Sequence, residues 1–70
     1  MIWHRVSDYA VRSEDGRFSI CRCNVAGRID YTLYRISGQQ FLSARRGVKD
    51  NAPSHLVAIN ELKQEADAYE

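Results

Sequence analysis

Asp8–Cys23, DYAVRSEDGRFSICRC, decides how this 70-residue chain folds. Asp15-Gly16 is a pair that accepts positive φ, and β-formers flank it on both sides. That is the strongest short-range hairpin signal a sequence offers. If Asp15 and Gly16 are the whole loop, Val11 falls opposite Ile20, and every other strand can be registered against that pair.

Working outward, residues 2–12 alternate loosely and read as one strand, with a weak point near Ser7-Asp8. Residues 17–25 return from the Asp15-Gly16 turn. Ala26-Gly27 offers the next turn, residues 28–36 (RIDYTLYRI) are rich in β-formers, Ser37-Gly38 turns again, and residues 39–46 make a shorter fourth strand. After a loop, residues 53–68 read as a helix. Pro53 suits its first turn, where the missing N–H costs nothing, and Asn51 or Ser54 supplies a cap. At about 100° per residue, His55, Ala58, Ile59, Leu62, Ala66 and Tyr69 share one stripe, with Leu56 at its edge and Val57 outside it. The predicted fold is α+β: an antiparallel four-stranded β-meander with one C-terminal helix packed on one face, a single domain over residues 1–70.

Two-residue turns throughout give a self-consistent register. One face carries the row Val11, Ile20, Leu33, Leu42, apolar in every strand and therefore the face for the helix. The opposite face carries Ala10, Cys21, Thr32, Ser43; then Arg12, Ser19, Tyr34, Phe41; then Asp8, Cys23, Asp30, Arg45. One helix cannot cover both sides of a sheet. The second face is expected to be open, with Tyr34 beside Phe41, Ile36 nearby, and Arg12 and Arg45 around them. Arg12, Tyr34, Ile36, Phe41 and Arg45 are the expected partner-binding residues.

Composition bounds the alternatives. A core built from 70 residues supplies only a few kcal/mol, so a second copy of the chain, docked through the open face or an edge strand, would add stability. The N-terminus lacks the apolar core of a signal peptide, and no apolar run reaches membrane-spanning length, so a cytoplasmic protein with no membrane partner is expected. The net charge of +1 conceals an asymmetry. In residues 1–49, eight Arg and Lys49 oppose Asp8, Glu14, Asp15 and Asp30, a balance of +5. In residues 50–70, Lys63 opposes Asp50, Glu61, Glu65, Asp67 and Glu70, a balance of −4. The basic front supplies a second reading, a nucleic-acid module using Arg12, Arg17, Arg28, Arg45, Arg46 and Lys49, with aromatics stacking on bases. The modest net charge weighs against it, because phosphate neutralisation supplies most of such affinity.

Chemistry-bearing constellations are sparse. Cys21 and Cys23 have Cα atoms roughly 6.5–7 Å apart in a strand, at the edge of disulfide geometry. With His4 and His55 they contain the atoms of a zinc site. However, thiolate pairs in such sites usually sit two to four residues apart on a turn, and the register points both cysteines away from His55. Glu14 and Asp15 belong to a turn. Paired carboxylates, a phosphate-cradling glycine loop and a nucleophile elbow are all missing, so the reading is non-enzymatic, with no catalytic residue, metal or cofactor.

Trp3 with Arg5, Asp8-Tyr9, the run from Arg12 to Ile20 (R-S-x-D-G-R-F-S-I), Gly27 to Thr32 (G-x-x-x-Y-T), Tyr34 and an alanine-bearing C-terminal helix resemble a group of small phage and prophage proteins. Such proteins are commonly accessory or host-takeover factors, inhibitors of host enzymes or defence systems among them, so the resemblance implies a binding protein. The predicted meander followed by one helix is also similar in architecture to the sheet-reading DNA-binding domains of plant ethylene-response factors and the arm-site-binding domains of tyrosine recombinases. That similarity implies major-groove contacts from Arg12, Tyr34 and Arg45, on a face that in this chain is poor in arginine.

Overall fold

The computed structural model describes all 70 residues. A five-stranded antiparallel sheet in the order β1-β2-β3-β4-β5 carries one helix on one face. The strands are β1 (Trp3–Ser7), β2 (Ala10–Ser13), β3 (Phe18–Val25), β4 (Arg28–Arg35) and β5 (Gln40–Val48), and the helix is α1 (Ala52–Asp67). The helix is too short and too polar to cross a membrane.

The expectation of four strands is corrected to five, because the single strand read over residues 2–12 folds back on itself. Ser7 ends β1, its Oγ accepts the Tyr9 N–H at 3.1 Å, and Arg5 reaches forward to the Ser7 carbonyl and the Asp8 carboxylate. These local bonds favour a turn over continued extension. β1 then pairs with β2, Trp3 opposite Ser13 and His4 opposite Arg12, with a bulge at Val6.

The central hairpin keeps the anticipated register, Val11 opposite Ile20, but its loop is four residues long, Glu14 to Arg17. Ser13 Oγ accepts the Phe18 N–H at 2.9 Å, and the Asp15 carboxylate accepts from Ser13 Oγ at 2.7 Å and from the Arg17 N–H at 3.0 Å. The side chain of Ser13 thus replaces the last backbone rung. Gly16 takes φ 76°, the left-handed conformation its position was expected to need. At the next turn both Ala26 and Gly27 have positive φ, as a two-residue type I′ loop demands, and β3 and β4 pair along their full length.

The core lies between α1 and β3–β5. Phe18, Ile20 and Leu33 from the sheet and Leu62 from the helix are the large side chains sealed inside, with Ala58 and Ala66 allowing close approach. Asn51 caps the helix, its side chain accepting the Ser54 N–H at 2.9 Å. Of the expected stripe, Tyr69 alone lies exposed, past the end of the helix, and Val57 faces solvent as anticipated.

The row expected to end in Leu42 is also corrected. Tyr34 pairs with Phe41 as anticipated, but Leu33 pairs with Ser43, so Leu42 sits in a β-bulge. From there to the second irregularity before Val48 the β5 side chains are moved to the other face, and Val48 returns to the core side. Ser43 and Arg45 face the helix, where Ser43 Oγ donates to Glu65 at 3.2 Å and Arg45 bonds Glu61 at 3.1 Å and Glu65 at 2.9 Å. Leu42 still packs against the core. The bulge lets β5 contribute Leu42 to the core and Arg45 to the acidic helix at once.

Truncating either of two leucines with no exposed surface, Leu33→Ala or Leu62→Ala, is expected to cost about 2–5 kcal/mol in urea unfolding. The Asp15 carboxyl is lowered from 3.8 to about 2 by the hydrogen bond from Ser13, then by the backbone and guanidinium of Arg17. A carboxyl held low in the folded state stabilises fully above its unfolded value, near pH 4, and loses that contribution as pH falls toward about 2. Asp15→Asn is therefore expected to flatten the fall of the urea midpoint across that window.

Candidate functional site

Strand pairing places His4, Arg12, Ser19, Tyr34 and Phe41 in one row across all five strands on the face away from the helix. Each comes from a strand whose other face is fixed by the core, so alternation alone aims these side chains outward. The Tyr34 and Phe41 rings meet edge to face at 6.3 Å between centroids, and Phe41 is 54% exposed. Beside them Arg12, Ser19, Cys21, Ile36 and Gln39 help line a depression of about 420 Å³. Arg12 takes part in none of the molecule's ion pairs.

Four of the five expected partner-binding residues, Arg12, Tyr34, Ile36 and Phe41, are brought together here. Arg45 is not: the Leu42 bulge turns it to the helix side, where the hydrogen bond it donates to Glu61 and the charges of Glu65 and Glu61 raise its pKa and fix it as a cation. His4 joins the row unannounced, because β1 folds back; its ring lies 3.9 Å from Glu14. The signal for it is Ser7-Asp8, a full turn between β1 and β2 rather than a weak point in one strand.

The next row is small, Ala10, Cys21, Thr32 and Ala44, and beyond it Cys23 pairs with Asp30. Asp30 is 92% buried, with its carboxylate accepting both Arg28 Nε and Nη2 at 3.0 Å and the Gly47 N–H at 3.1 Å. Burial pushes this carboxyl up, but the Gly47 N–H and Arg28 outweigh it, and its pKa ends below the ordinary value. The same bond anchors a second irregularity of β5, where Gly47 takes φ 66°. Both cysteines are free thiols on this face.

The expected nucleic-acid set is divided. Arg17 is held by Asp15 at 2.7 Å and Glu70 at 3.0 Å, Arg28 by Asp30, and Arg45 by Glu61 and Glu65. Arg12, Arg46 and Lys49 form no ion pair.

On the helix side, His55 occupies the stripe for a reason the periodicity did not show. The Tyr31 hydroxyl lies 2.7 Å from Nδ1, and Nε2 lies 3.0 Å from the Asp50 carboxylate. With the imidazole neutral, Tyr31 donates to Nδ1 while Nε2–H donates to Asp50, pinning the start of α1 to β4. Burial pushes the Tyr31 hydroxyl above its ordinary pKa, so it serves as a structural donor. Tyr31→Phe leaves Nδ1 without its donor and is expected to cost about 1–3 kcal/mol in urea unfolding, with the far-UV spectrum unchanged at zero denaturant.

No protein-family model matches this chain, and neither a curated protein nor a solved structure is detectably similar to it.

Proposed function

We propose that the chain is a small non-catalytic binding protein, an accessory factor of the phage type, which docks on a protein partner through the open face of its sheet. The observation that carries this reading is the solvent-facing Tyr34–Phe41 pair beside the ion-pair-free Arg12. Aromatic residues and arginine are the side chains that dominate protein interfaces, and a hydrogen-bonded sheet holds them in place before the partner arrives. The complementary surface is an apolar side chain against Phe41 and Ile36 with a carboxylate within reach of Arg12.

The nucleic-acid reading has less support. Three of its six cations already hold carboxylates of the same chain, so phosphate contacts would compete with Asp15, Asp30, Glu61, Glu65 and Glu70. Arg12 alone of the remaining three lies in the aromatic row.

Phe41→Asp and Arg12→Glu change exposed side chains and are expected to leave the melting temperature within a few degrees of wild type. Affinity capture from the source cells, followed by mass spectrometry, is expected to recover a protein that both variants lose at least tenfold while Lys63→Ala retains it. Capture unchanged by either variant overturns the assignment of this face. Capture abolished by nuclease, with a salt-sensitive electrophoretic shift lost in Arg46→Ala/Lys49→Ala, would establish the nucleic-acid reading instead.

A further inference from the structure

The face that carries the helix is itself only half covered. α1 lies over β3, β4 and β5, and β1 and β2 extend beyond it. Between the helix and this hairpin runs a groove of about 340 Å³. Its floor is Val11, Ile20 and Ile59; its walls are Leu56 on the helix, 59% exposed, and Tyr9 on the hairpin, 58% exposed.

One cation in the groove is left over. Arg22 stacks over the Tyr9 ring at 5.7 Å, and its Nε is sealed from solvent with no hydrogen-bond acceptor. Arg5, the other cation on the rim, is engaged by Asp8. The terminal nitrogens of Arg22 are not sealed and take part in no ion pair, so a carboxylate delivered from outside can bond them in the planar geometry arginine favours.

We propose that this groove receives an acidic amphipathic helix of a partner protein, its apolar side chains on Val11, Leu56 and Ile59 and a carboxylate on Arg22. The site is separate from the open face and does not rest on the reading given for that face. Two strands spaced about 4.8 Å apart leave a strip about as wide as one helix, roughly 10 Å. Leu56 and Ile59, three residues apart on α1, form the ridge against which a neighbouring helix packs.

The test is selection of a displayed library of randomised dodecapeptides against the folded protein. Enriched peptides are expected to carry Asp or Glu three or four residues from a large apolar residue. A selected peptide is expected to lose at least tenfold in affinity against Arg22→Gln and against Leu56→Glu, and the same when its own acid is changed to the amide, with Phe41→Asp binding it normally. Leu56 is exposed, so Leu56→Glu and the amide peptide decide the matter even if Arg22→Gln unfolds. The proposal is overturned by a library that enriches nothing, by peptides without the acid, by binding that survives Leu56→Glu, or by binding lost only in Phe41→Asp. A wild-type dimer in sedimentation that Leu56→Glu turns into a monomer would assign the groove to a second copy and equally overturn it.

Discussion

A single helix about 10 Å across has to shield a sheet whose outer strands lie about 19 Å apart. That mismatch of widths governs the surface of this molecule. α1 settles where the largest apolar side chains are, over Phe18, Ile20 and Leu33, and leaves the far face and the β1–β2 side of the near face to solvent. Both residual surfaces then carry what a buried sheet would not: Phe41 and Arg12 on one side, Tyr9, Leu56 and an unsatisfied Arg22 on the other.

Where the helix and sheet do meet, electrostatics completes what burial begins. The contrast between a basic front and an acidic tail is spent largely inside the molecule, through Arg45 with Glu61 and Glu65 and through Arg17 with Glu70. Arg45 reaches the helix because β5 is bulged at Leu42. Without that extra residue, alternation would turn Arg45 outward and set Ala44 beneath the glutamates. The second irregularity, at Gly47, is secured by the buried carboxylate of Asp30. Together they bend the outer strand twice.

The bends also bear on how this protein meets others. An edge strand is a ready template for another chain, and short, bulged edges resist that pairing. β1 is five residues long with a bulge at Val6, and β5 is interrupted twice. Strand-to-strand addition, one of the routes by which a second copy was expected to dock, is therefore disfavoured at both edges. The faces are left as the surfaces for recognition.

Much of this was legible in the chain. Gly16 and the Ala26-Gly27 pair mark turns with positive φ, which sets the register of three strands. The apolar residues Val11, Ile20 and Leu33 then decide which side of them is buried, and Pro53 after Asn51 places the start of the helix. These are local properties, dependent on the conformations and hydrophobicity of residues close in sequence, and they sufficed to bring Arg12, Tyr34 and Phe41 onto one face. The fifth strand, the Leu42 bulge, the fate of Arg45 and the groove around Arg22 depend on partners far along the chain. Whether Arg45 faces in or out is set by Glu61 and Glu65, sixteen and twenty residues later, and whether Arg22 finds an acceptor depends on where the helix stops covering the sheet. Alternation can say which residues share a side, but only the packed molecule decides how many strands there are, where one of them slips, and which charges remain unanswered.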